Sequence, residues 1–127
     1  MFKKSQSSIE FIILVSVMLL FFTIFFTFIY ENISDKIQEN QNEELKNIAI
    51  NIQKEINFAF ESQDGYFREF SVPDSIGQED YTLEVIENKI YVKSEKNAIA
   101  LPIKSITGQI QKGNNIIKKQ NSIIYLN

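Results

Sequence analysis

The pattern of apolar and polar positions divides the chain near Tyr30. From Phe11 to Ile29 the only polar residues are Ser16, Thr23 and Thr27, and none is charged. A run of that length, roughly 20 residues, is what a helix needs to cross the hydrocarbon core of a bilayer. Beyond Tyr30 the pattern becomes periodic. Ile33, Ile37, Leu45, Ile48, Ala49, Ile52, Ile56, Ala59 and Phe60 recur mostly at steps of three and four, while Glu39, Glu43, Lys46 and Lys54 fall elsewhere. That spacing traces one apolar stripe on a helix. Gln41 interrupts the stripe and leaves a weaker patch between Ile37 and Leu45. No Pro or Gly occurs between Met1 and Asp64, so nothing stops the helix at the lipid boundary. The spacing therefore predicts a single helix from about Gln6 to Glu61, whose second half needs a cover.

The cover is predicted in the rest of the chain. Asp64-Gly65 is a helix stop and turn. Short runs of strand type follow, each bounded by turn residues. They are Tyr66–Val72, Tyr81–Ile86, Lys89–Lys93, Ala98–Ile103, Ile106–Gln111, Asn115–Lys118 and Ser122–Leu126. Pro73 and Ile76-Gly77 mark a loop, Glu87-Asn88 a two-residue hairpin turn, and Gly113 and Gln120-Asn121 further turns. The runs read as a meander, one face of which closes on Ile48, Ile52, Ile56 and Phe60. The expected fold class is α+β, with a long N-terminal helix packed on a small antiparallel β-sheet head domain. Its first half spans a membrane over residues 11–30, its second half is amphipathic, and the head covers residues 62–127.

Composition narrows the function. The chain has 127 residues, 44% of them hydrophobic, and a formal net charge of −3. An acidic chain whose only adjacent cations beyond the start are Lys118 and Lys119 gives no indication of nucleic acid as a partner. It has no Cys and no His, so disulfides, thiol chemistry and the usual base near neutral pH are all missing. There is no G-x-S-x-G elbow, no glycine-rich phosphate loop and no D-x-D-x-D-G calcium loop. Glu43-Glu44 and Glu79-Asp80 read as solvated pairs. The sequence predicts no enzyme, cofactor or metal. Lys3 and Lys4 precede the apolar run while Glu31 and Asp35 follow it, which orients the amino terminus to the cytoplasm and residues 31 onward to the outside. One sequon, Asn32-Ile33-Ser34, makes Asn32 a candidate glycosylation site.

Glu10 is the residue that a plain anchor does not explain. A carboxylate near lipid costs a few kcal/mol unless it finds a partner. The run is also too long for a removable secretory signal, and no small-x-small cut site follows it. Gln6-Ser7-Ser8-Ile9-Glu10-Phe11-Ile12-Ile13-Leu14 fits the pattern Q-x-S-x-E-x-x-x-L, with Gln6, Ser8, Glu10 and Leu14 at its fixed positions. In this stretch the chain resembles archaeal type IV pilins with class III signal peptides; Lys3, Lys4 and the small Ser5 also fit such a leader.

The resemblance covers only the first 30 or so residues. It implies that residues 1–5 are a leader, cut between Ser5 and Gln6 by a membrane-embedded prepilin peptidase. Loss of Lys3 and Lys4 would shift the charge from −3 by two units, to −5. It implies that Gln6 and Glu10 serve subunit assembly, the carboxylate of one subunit meeting the new α-amine on Gln6 of its neighbour. Implied partners are other pilin subunits in a homo- or hetero-polymer, a pilus assembly platform protein with its ATPase, and membrane lipid. The expected function is a structural pilin or minor pilin of a surface filament. The alternative is a single-pass anchored extracellular binding domain that never polymerises, and an archaellum subunit fits the leader and the small head less well.

Overall fold

The structure is a computed structural model that describes the backbone of residues 2–127 and the side chains from Gln6 onward. One helix, α1, runs over Phe2–Glu61, and seven strands follow: β1 Phe67–Val72, β2 Tyr81–Ile86, β3 Lys89–Ser94, β4 Ala98–Pro102, β5 Thr107–Gly108, β6 Gly113–Gln120 and β7 Ile123–Leu126. The chain forms two compact units, Met1–Gln38 and Glu39–Asn127. The first is helix alone.

In the second unit the outer part of α1 packs on two small sheets, as the α+β reading requires. Leu45, Ile48, Ala49, Ile52, Ile56 and Ala59 are buried on one helical face. They meet Val72, Tyr81, Ile90, Val92, Ile117, Ile124 and Leu126 from the strands in a single core. Burying each Ile or Leu fully contributes about 1.5–3 kcal/mol. Phe60, expected in this core, is instead 49% exposed. Ala59 takes the inward position, and Phe60, about 100° further round the helix, turns outward. Its ring lies beside the ammonium groups of Lys104 and Lys119, 4.8 and 5.6 Å from its centre. Ile33 and Ile37, at the start of the predicted stripe, are exposed too.

The helix stops where Asp64-Gly65 predicted. Gly65 has φ +95°, the left-handed conformation open to glycine. Lys119 Nζ donates to the carbonyls of Phe60 and Ser62 at 2.6 and 2.7 Å. A cation on the last carbonyls satisfies otherwise orphaned acceptors and offsets the negative end of the helix dipole.

The strands depart from a meander. They form a four-stranded sheet in the order β1-β6-β7-β5 and a three-stranded sheet in the order β2-β3-β4. The second is a plain antiparallel run, and its Glu87-Asn88 turn has φ +49° and +60°, as a two-residue hairpin demands. The first inserts the last two strands between β1 and β5. The run Ile106–Gln111 yields only Thr107–Gly108, and that pair lies parallel to β7. Gly108 (φ +107°) sits so close to β7 that a Cβ there would collide with the Leu126 carbonyl oxygen. Gly113 opens β6 rather than making a turn, and the β6–β7 turn falls at Asn121-Ser122, one residue later than predicted.

Buried Asn115 fixes the crossing segment. Its Nδ2 donates to the carbonyls of Gln111 and Gly113, and its Oδ1 accepts from Gln111 N and Asn127 Nδ2 at 3.0 and 2.9 Å. The amide is fully satisfied, which is what lets a polar side chain sit in this core.

Candidate functional site

The candidate site is the first turns of α1. Helical geometry sets Gln6, Glu10 and Leu14, each four residues apart, along one face. Ser8 falls about 200° round from Gln6, on the opposite side. The four residues of the expected processing motif are therefore not one cluster: three share a stripe and the fourth does not. Gln6 Nε2 donates to Glu10 Oε1 at 3.5 Å, between two exposed side chains. Lys3, Lys4 and Ser5, the basic pair and the near side of the expected cut, have side chains outside the described residues.

Below this polar head the face continues apolar. Glu10, Leu14, Val17, Met18 and Phe21 line one shallow depression, so the carboxylate stands at the rim of an apolar surface. That surface has no cover among the described residues. Leu14, Leu20, Phe21 and Phe26 are 58–69% exposed. Phe22 and Phe26 stack on one another at 6.4 Å between ring centres, contact that the helix makes with itself.

The few polar groups of the run are satisfied inside the helix. Ser16, Thr23 and Thr27 hydroxyls donate to the carbonyls of Ile12, Leu19 and Thr23, each at 2.8 Å. No hydroxyl proton is left facing outward, which is the condition for lying in hydrocarbon. Gln6–Glu61 is long and apolar enough to cross a membrane, and no part of its most apolar window is buried. Glu10 is the exception to this internal accounting.

Asn32 donates its amide to Phe28 O at 2.8 Å and sits within the helix, as does Ser34. A transferase would have to unwind the turn to reach the sequon in an extended form. In the head, an open groove of about 390 Å³ separates α1 from β1, lined by residues that include Ile52, Glu55, Phe58, Arg68 and Phe70. Its one charge pair is Arg68 with Glu55, at 3.4 Å. No set of His, Cys, Asp and Glu among the described residues could hold a metal ion.

Charge and burial act together at the β2 entrance. The Lys112 ammonium bonded to Asp80, together with the Tyr81 backbone N–H, holds the Asp80 carboxyl below its ordinary value. Burial, and then the charges of Asp74 and Asp80, push the Tyr81 hydroxyl up to about 12. Tyr81 donates that hydroxyl to Pro73 O, and Lys112 lies 4.6 Å from its ring centre. These groups anchor the Pro73–Asp80 loop to the core. Sequence reading missed Tyr81 as an anchor and Asn115 as a buried amide; an apolar alternation that includes Tyr81 was the only signal, and Asn115 gave none.

No family model, curated protein or solved structure matches this chain. The site's own residues carry the functional reading.

Proposed function

We propose that this chain is a structural, non-catalytic subunit of a type IV pilus-like surface filament. The leader ends at Ser5, the mature chain begins at Gln6, and subunits polymerise through the apolar helix. One observation carries the reading: a helix apolar all round, uncovered among the described residues, with a single carboxylate at its upper rim inside a prepilin-type motif. Lipid can cover such a helix while the subunit waits in the membrane. Neighbouring helices of the same kind can cover it afterwards. Glu10 costs little in a polymer because the α-amine of the next Gln6 compensates it. The lysine pair keeps the cut end cytoplasmic, so the head faces outward.

The test is to shear filaments from cells with an active prepilin peptidase and sequence the protein they contain. Chains beginning at Gln6 are the expected result. Recovery of the full-length chain alone, in membranes and never in filaments, would overturn the proposal. The Gln6–Glu10 contact within one chain favours the second reading, a lone anchored domain, because it gives the acid a partner without a neighbour. At 3.5 Å between exposed groups that contact is long for a hydrogen bond.

A further inference from the structure

Bonded residues alternate along an antiparallel ladder. On β1 the phase follows from its start. Lys119 N donates to Tyr66 O at 3.0 Å, and Phe67 stands opposite Lys118. Arg68, Phe70 and Val72 therefore bond to β6, while Phe67, Glu69 and Ser71 turn their N–H and C=O groups away from it. The far side of β6 gives the same phase, since Asn127 N donates to Ile116 O at 2.9 Å. The three-stranded sheet reads likewise. Ile103 N donates to Asn88 O, and Ser94 N to Asn97 O, so Ala98, Ala100 and Pro102 of β4 point outward.

The sheet edges are not equally protected. β5 offers two residues, and the outer side of β2 faces Gln109 and Ile110 across a cleft. On β4, Gln53 Nε2 caps the Pro102 carbonyl at 2.7 Å, which leaves Ala98 and Ala100. On β1 three successive outward residues have no bonded partner among the described residues, and the groove beside α1 leaves their side open. Its pairing with β6 is unbroken over six residues, without a bulge or an internal Pro to blunt it. An edge of this kind is a template for another strand.

We propose that the open edge of β1 takes the open edge of β4 from a second copy of this chain, joining successive heads strand to strand. The inference rests on the filament reading and adds a contact that the apolar helix does not supply. Main-chain donors and acceptors at every second residue match one kind of ligand, an extended polypeptide. β4 presents the complementary row, and Ala98 and Ala100 are too small to hold two backbones apart. Charge does not oppose the pairing: β4 is itself uncharged, so neither Arg68 nor Glu69 meets a like charge on it. Pairing β1 with itself would set Glu69 against Glu69, or Arg68 against Arg68, in two of its three centred registers. Because β1 and β4 are different surfaces, the contact is heterologous; each added copy leaves one edge open, which builds a line of subunits rather than a closed dimer.

The chain has no Cys, so introduced thiols have no competitors. Full-length variants pairing Glu69→Cys or Ser71→Cys with Ala98→Cys or Ala100→Cys would be expressed in peptidase-competent cells, oxidised mildly and run without reductant. At least one combination is expected to give a ladder of dimer, trimer and higher species, while every single variant stays monomeric. Normal filaments without a ladder from any combination would overturn this inference and leave the filament reading standing. Dimers from Glu69→Cys or Ser71→Cys alone would show β1 pairing with itself, and overturn it too. Ala100→Pro gives an independent readout, because Pro is tolerated on a strand where its missing N–H faces outward. It should lower filament yield about tenfold, the loss of one well-made hydrogen bond, and leave the melting temperature unchanged. Unchanged yield would count against the contact.

Discussion

The two parts of α1 share one backbone geometry and have opposite fates. In the first, Phe21 is 69% exposed and every apolar side chain from Ile9 to Phe28 faces away from the chain. In the second, Ile52 and Ile56 are 2% and 0% exposed. The difference is one of pattern. A helix apolar on all sides has no face to prefer, so its cover must surround it; a helix apolar on one stripe is satisfied by a sheet on that side. The first part is long and apolar enough to lie in lipid, and the second is covered by its own strands. The transition falls where Gln38, Asn40, Gln41 and Asn42 replace apolar residues.

The largest test of this contrast is one substitution made in each part. A chain starting near Asn40 keeps the stripe and every strand, and is expected to be soluble, folded and mixed α/β. Ile52→Asp should unfold it, since a buried unpaired charge costs at least roughly 5 kcal/mol, comparable to the stability of a small domain. Phe21→Asp in the full chain should leave the head's thermal melt untouched and reduce membrane insertion instead. An unchanged circular dichroism melt for Ile52→Asp would break the helix-on-sheet packing.

Glu10→Gln comes next, and it separates a helix that assembles from one that only anchors. The change preserves size and removes charge, so insertion and leader cutting should survive. In a filament it leaves the neighbour's amine uncompensated, at roughly 3–5 kcal/mol. The expected phenotype is a normal processed membrane pool with few filaments. Equal filament yield from the variant, quantified beside that pool, would reduce Glu10 to a peptidase signal and favour the lone anchor.

Smaller effects belong to the head alone. Asn115→Ala should destabilise it by roughly 2 kcal/mol, because Gln111 N and the Asn127 amide lose a buried acceptor. Membrane insertion should not respond. The last prediction is a pH dependence. Tyr81 holds its proton up to about 12 in the folded chain, against an ordinary value of 10.0. The native state thus binds more protons than the unfolded state between those values. The stability this contributes is complete below pH 10 and lost as pH rises toward 12. Melts of wild type and Tyr81→Phe across that range should converge with rising pH, and parallel curves would remove Tyr81 from the account.

Much of the fold was legible because local rules set it. Steps of three and four picked out Leu45, Ile48, Ile52 and Ile56, and the structure buries all of them. The β2–β3 hairpin followed from two turn residues between alternating runs. The errors fall where distant contacts decide. Ala59 or Phe60 could each have faced inward, and the choice went to the smaller residue at the close approach. Gly113 resembled a turn residue until its pairing with Val72 drew it into β6. In the candidate site, the motif was legible as letters and spacing, and the helix then sets Gln6, Glu10 and Leu14 on one face. The separation of Ser8 follows from the same geometry.

By itself the sequence determined the apolar run, the amphipathic stripe, the helix stop at Asp64-Gly65 and the Q-x-S-x-E-x-x-x-L pattern. Each depends on residues within a few positions of one another, where backbone geometry leaves little choice. Tertiary structure decided how seven strands divide into two sheets, why Gly108 must lack a side chain, and where an amide such as Asn115 could be buried at no loss. It also decided which edge stays open. Strand pairing joins residues far apart in the chain, and a ladder's phase is set by its partner rather than by its own letters. Phe67, Glu69 and Ser71 therefore gave no sign in the sequence that their backbone groups would be left facing outward.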